Sequence, residues 1–130
     1  MQHYFENDHV SIGYDQANHI IITTWLTTPT QSEFRDGMNI TIKAIEHFGT
    51  GKVIWDTRLL GILHPDDQQW AATEHYNNAL KAGYSHAALL IPEDIFSQMS
   101  LDDTVSQVEN LIPVTYTPTV EIAIEWMKQF

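Results

Sequence analysis

The chain of 130 residues contains no cysteine, which excludes disulfides, thiolate metal ligands and thiol nucleophiles at once. Basic residues are almost as scarce: six Lys and Arg stand against 17 Asp and Glu, for a formal net charge of −11. A surface of that sign repels phosphate backbones and anionic headgroups, so nucleic-acid binding is not expected. No apolar run approaches the ~20 residues that a membrane-spanning helix needs. The opening MQHYFENDH has neither a basic n-region nor an apolar h-region, so no signal peptide is expected. The missing cysteines and the missing leader together suit a cytoplasmic protein.

Catalytic signatures are missing too. There is no Gly-x-Ser-x-Gly elbow, and Gly49-Thr50-Gly51-Lys52 precedes a strand rather than the helix a phosphate-cradling loop requires. The seven histidines, at positions 3, 9, 19, 47, 64, 75 and 86, make no His-x-x-x-His or His-x-His spacing, and Glu74 and His75, adjacent on a helix, do not face one way. The reading therefore assigns no catalytic residue, no metal ligand and no cofactor.

What the chain does contain is an ordinary globular balance, 43% hydrophobic and 18% charged, in a length that suits one domain spanning residues 1–130. Residues 3–6 and 9–14 read as extended. Val10, Ile12 and Tyr14 alternate with polar or small residues, the pattern of a strand with one buried face. A turn at Asp15–Asn18 leads to the β-branched run Ile20–Trp25, which closes an antiparallel hairpin. Thr30 and Glu33 fit a capping box. Phe34, Met38, Ile42 and Ile45 give the helix after it one apolar stripe, and Gly49 suits its end.

Lys52–Asp56 reads as a buried strand. A second helix is expected from Asp66 to Ala82, capped by Asp66 with Gln69, with Ala72, Tyr76, Ala79 and Leu80 inward and Gly83 as its stop. Ala87–Ile91 is apolar throughout, as a central parallel strand would be. Pro92-Glu93-Asp94 is expected to open a short helix to Met99, and Ser100 to cap a fresh one running toward Glu109. Val114–Thr117 reads as an edge strand. The last helix puts Val120, Ala123, Ile124 and Met127 on one face. The predicted fold class is α/β: a mixed sheet of about five strands, an N-terminal antiparallel hairpin followed by parallel βαβ units, packed with about four helices.

Ligands of open α/β sheets bind beyond the carboxyl ends of the parallel strands. The polar group there is Trp55, Asp56 and Arg58, with Asp66 and Trp70 where the second helix begins. These are the candidate residues for binding a ligand or partner. Arg58 suits a carboxylate or phosphate, or else an ion pair with Asp56 or Asp67 that pins the loop. Trp25, Trp55 and Trp70 beside that cation would suit an apolar ligand with an acidic head, or a protein anchor. The carboxylate pairs Asp66/Asp67, Glu93/Asp94 and Asp102/Asp103 all read as helix caps and dipole complements.

Trp55-Asp56-Thr57-Arg58 with Gly61, Pro65-x-Asp67-Gln68-x-Trp70, Ile91-Pro92-Glu93-Asp94-Ile95-Phe96 and Glu121-x-Ala123-x-x-Trp126, taken in this order of elements, resemble the STAS domain and its SpoIIAA-like relatives, which are grouped with Sec14-type lipid-binding domains. The resemblance spans nearly the whole chain. It implies a non-enzymatic regulatory or protein-interaction domain. Anti-sigma antagonists carry a phosphorylatable serine where the second helix begins; here His64-Pro65-Asp66-Asp67 offers no hydroxyl, so the resemblance implies the docking surface without the phosphorylation switch. The alternative it implies is a binder of a small lipophilic or anionic ligand. A third reading is an enzyme using Asp56, Arg58 and His64. Self-association is compatible with all three.

Overall fold

The computed structural model describes residues 1–108 and 110–130. Six strands, β1 (Gln2–Glu6), β2 (Val10–Asp15), β3 (Ile20–Trp25), β4 (Lys52–Asp56), β5 (His86–Leu90) and β6 (Val114–Thr117), form one mixed sheet in the order β1-β2-β3-β4-β5-β6. β1, β2 and β3 pair antiparallel, and β3 through β6 pair parallel. The fold class is thus α/β as the sequence predicts, with the extended segment near His3 supplying a sixth strand at one edge. β6 is the other edge. β3, β4 and β5 lie inside the sheet, and their unbroken apolar runs are buried on both faces.

α1 (Gln31–Phe48) has the predicted box: the Thr30 hydroxyl accepts from Glu33 N–H, and the Glu33 carboxylate accepts from Thr30 N–H. Gly49 ends it in the left-handed region at φ 66°. α2 (Pro65–Trp70), a π-turn (Ala71–His75) and α3 (Tyr76–Ala82) run on as a single rod that stops at Gly83, φ 115°. α4 is Ile95–Val105 and α5 is Val120–Met127.

Several sequence expectations give way here. His64, not Asp66, caps α2: its Nδ1 accepts from Asp66 N–H at 3.1 Å, and Pro65 follows as a ready first-turn residue. The π-turn inserts one extra residue, so the inward stripe runs through Ala71, His75, Tyr76 and Ala79, while Ala72 and Leu80 are only half-buried. Pro92 precedes rather than opens α4, which Asp94 caps by accepting from Ser97 N–H. That helix runs through Ser100 unbroken, because the Ser100 hydroxyl is engaged elsewhere as an acceptor and does not cap. Asp102 and Asp103 consequently lie in the last turn of α4, exposed, rather than at a helix start; the expected extension toward Glu109 ends on a residue outside those described.

Strand order advances in one direction from β3 to β6, so crossovers of one hand place α1, the α2–α3 rod and α4 on the same face. They bury Val53, Trp55, Ala87 and Leu89 there with Phe34, Ile45, Leu101 and Val105. Among the described residues α5 alone packs the opposite face, where Ala123 and Met127 meet Ile22, Ile54, Ala88 and Leu90. Among the described residues no helix is long and apolar enough to cross a membrane.

Candidate functional site

Side chains alternate along β4, which separates the residues that the sequence groups together. Trp55 points to the three-helix face, is buried, and donates Nε1–H to the Tyr84 hydroxyl at 2.9 Å. Asp56 points to the α5 face. Arg58 folds back over it, with Nε 3.0 Å from Oδ1 and Nη2 2.8 Å from Oδ2, while the Arg58 N–H lies 3.3 Å from Oδ1. Both carboxylate oxygens are thereby satisfied, and the Asp56 side chain is 7% exposed against 48% for Arg58. The Asp56 bonds, with the more distant charges of Glu93 and Glu121, hold the guanidinium pKa above its ordinary value. The fork is filled from within the chain, and the pair pins the strand-to-loop corner.

Truncation at Arg58 follows from this geometry. Arg58→Ala leaves a buried carboxylate with only its backbone bond, and it is expected to cost about 1–2 kcal/mol; the half-exposed guanidinium keeps the loss below that of a fully buried pair. Urea denaturation of the variant against wild type measures it. A wild-type midpoint would show that the pair holds nothing in place.

Asp67 pairs with Arg35 rather than Arg58, Nε to Oδ1 at 2.8 Å, and the Arg35 guanidinium lies 5.1 Å from the centre of the half-buried Trp70 ring. The cation beside a tryptophan is therefore Arg35. Trp25 is buried against Phe34 with ring centres 5.6 Å apart. Asp66 is exposed in the first turn of α2. Of Trp55, Asp56, Arg58, Asp66 and Trp70, only Asp56 and Arg58 touch through their side chains. His64, the third residue of the enzyme reading, uses Nδ1 to cap α2. Among the described residues no three His, Asp or Glu side chains come together as a metal-binding group.

Two features lie outside that set. The first is α4, whose first two turns are inverted: Ser97, Ser100 and Thr104 face inward, while Ile95, Phe96 and Met99 are 58%, 64% and 56% exposed. The inward hydroxyls are all bonded. Ser97 donates to Asp94, Thr104 donates to Ser100 O, and Ser100 accepts from Leu63 N–H at 2.8 Å. That last bond ties the loop after β4 against α4, and Leu59 and Ile62 of the loop are themselves 54% and 64% exposed. The signal was present in the sequence as two complementary stripes, Ser97/Ser100/Thr104 and Ile95/Phe96/Met99. Reading Ser100 as a cap cut the pattern in half.

The second is an apolar cavity of ≈ 90 Å³ between the sheet and the helices, lined among others by Trp55, Leu89, Tyr84, His75, Leu101 and Val105. Burial lowers the His75 pKa from 6.5 to about 4 even though its Nε2 bonds Met38 O at 3.1 Å; at neutral pH the ring is uncharged and donates through Nε2. Burial likewise pushes the Tyr84 hydroxyl pKa up. Among the described residues the lining of the cavity therefore carries no charge at neutral pH.

Compared with known protein families, curated proteins and solved structures, the chain matches none.

Proposed function

We propose that the chain is a non-enzymatic, STAS-like docking domain of the cytoplasm, which binds a basic amphipathic segment of a partner protein on α4 and the Leu59–Ile62 loop. The single observation that carries this reading is the inversion of α4. A helix with its serines inside and Ile95, Phe96 and Met99 outside gains nothing for its own core from those three side chains. Covering the area that each still exposes contributes roughly 1–2 kcal/mol, which is the economy of an interface anchor.

Charge selects the partner. Glu93 and Asp94 precede the exposed apolar turn, Asp102 and Asp103 follow it, and all four are exposed. Ser97 N–H and its hydroxyl hold the Asp94 pKa below the usual carboxylate value, so it stays ionised. An apolar strip between acidic ends fits a helix or strand with an apolar face and Lys or Arg at its margins, and it disfavours anionic membranes and acidic peptides alike. The order of elements agrees with the STAS resemblance, and the absence of a hydroxyl at His64-Pro65-Asp66 supports docking that does not depend on phosphorylation there.

Fluorescence polarisation with a short labelled Leu/Lys amphipathic peptide tests the reading. Binding is expected to weaken steeply between about 0.05 and 0.5 M salt, and Phe96→Asp with Met99→Asp is expected to weaken it at least about tenfold, the loss of some 1.4 kcal/mol or more. A Leu/Glu peptide of the same length is expected not to bind. Equal binding by the double variant, or by the acidic peptide, overturns the proposal. Both substitutions sit on the exposed face, so the fold should survive them.

A further inference from the structure

The central cavity combines three independent observations. Its room comes from small residues: Ala71, Ala72 and Ala87 line it where larger apolar side chains would fill the gap between β5 and the α2–α3 rod. Its polarity comes from two unsatisfied valences. Tyr84 accepts from Trp55 Nε1–H at 2.9 Å, and its own proton has no acceptor among the described residues. His75 donates through Nε2 to Met38 O, which leaves Nδ1 an acceptor with no hydrogen-bond partner among the described residues. Its wall includes the π-turn, the feature that rotates His75 inward; such turns interrupt the ordinary helical ladder and recur at functional sites.

A cavity that is only a packing defect is lined by apolar groups and stays empty. Here the Tyr84 hydroxyl and the second ring nitrogen of His75 belong to an otherwise largely apolar lining, each side chain with hydrogen-bonding capacity beyond the one bond it makes. Neither arginine lies on the lining, since Arg58 is folded onto Asp56 and Arg35 onto Asp67. An anionic head would be buried there without a counter-ion, which is prohibitive.

We infer that this cavity is a binding site for a small neutral amphiphile, an apolar body of about four to six heavy atoms bearing one hydroxyl, which accepts from the Tyr84 O–H or donates to His75 Nδ1. The size follows from scale: a dry cavity of ~150 Å³ holds benzene, so ≈ 90 Å³ holds a branched C4 alcohol or a molecule of similar bulk. The lipophilic half of the ligand expected from the sequence is thereby kept and the anionic half is dropped. The site lies inside the sheet-helix layer and its occupancy does not depend on the docking face of α4.

The test is a ¹⁵N NMR titration of the whole chain with isobutanol, with isobutyrate as an anion of nearly equal size, and with xenon as a purely apolar probe. Isobutanol is expected to give saturable shifts at the amides of residues 71–76 and 87–89, and isobutyrate at pH 7 none. Tyr84→Phe is expected to weaken isobutanol about fivefold, the worth of one hydrogen bond, and to leave xenon binding unchanged, which also shows that the variant has kept its fold. Ala72→Leu, at a half-buried position, is expected to abolish both. Lack of saturation with isobutanol, equal shifts from isobutyrate, or unchanged isobutanol affinity in Tyr84→Phe overturns the inference and leaves the cavity to water.

Discussion

Acidification from pH 7 to pH 4 is expected to remove roughly 3 kcal/mol of stability through His75 alone. In the folded chain its pKa is lowered to about 4, against 6.5 for an ordinary histidine. Above pH 6.5 the ring is neutral in both the folded and the unfolded chain, and the full stability is present. Between 6.5 and about 4 the unfolded chain takes up a proton that the folded chain refuses, so each unit of falling pH costs about 1.4 kcal/mol. Below about 4 both states are protonated and the loss is complete. The cause is desolvation in a pocket where Nε2 has a carbonyl partner and no carboxylate among the described residues compensates. Urea unfolding at pH 7, 5.5 and 4 measures the slope, and His75→Gln, which keeps a donor for Met38 O, should flatten it. An unchanged slope in that variant would assign the acid sensitivity to other groups.

A methyl group at position 51 is expected to be about as damaging. Gly51, just before β4, lies back to back with Gly83, and an added Cβ would overlap the Gly83 carbonyl oxygen and stand 2.7 Å from the Ser85 hydroxyl. Neither neighbour can move away. Gly83 is fixed at φ 115° as the left-handed stop of α3, and the Gly51 carbonyl accepts from Ser85 N–H at 2.9 Å and His86 N–H at 3.2 Å, which sets where β5 begins. Gly51→Ala should cost about 3 kcal/mol or more, at or above the top of the usual ~1–3 kcal/mol for overpacking because the obstacle is backbone, and leave much of the chain unfolded or insoluble. Gly49→Ala is the matching control: its φ is 66° but nothing lies within 4 Å of the new methyl, so only about 1 kcal/mol of left-handed strain is at stake. Equal thermal midpoints for the two variants would contradict the argument.

The fold was legible because its signals are local and redundant. The Thr30/Glu33 box, the stops at Gly49 and Gly83, and the doubly buried runs at 20–25 and 87–90 each depend on neighbours a few residues away. Where the structure differs from the sequence expectation, the deciding partner is distant. Ser100 looks like a cap until Leu63, 37 positions earlier, supplies the N–H that occupies its hydroxyl. Asp67 looks like a partner for Arg58 until α1 brings Arg35 across 32 positions. The π-turn was invisible because one inserted residue shifts a stripe without changing its composition. At the candidate site Trp55 and Asp56 are adjacent in sequence, and strand alternation puts them on opposite faces of the sheet. Nothing in the sequence neighbours of His75 announces its burial.

The order of the strands has a consequence for how the molecule comes into being. Space repeats chain order from β1 to β6, so every strand pairs with the one synthesised just before it. No strand has to be threaded between two that are already joined. As the chain leaves the ribosome from its N-terminus, the hairpin can close first and each later strand can add at a single growing edge, with its crossover helix laid down on the same side. Contacts formed this way stay short in sequence, the condition for quick folding. The edges that remain at the end are both blunted: β6 is four residues long between Pro113 and Pro118, and β1 carries a register break between His3 and Phe5. A sheet assembled by accretion thus finishes with little left to recruit another strand.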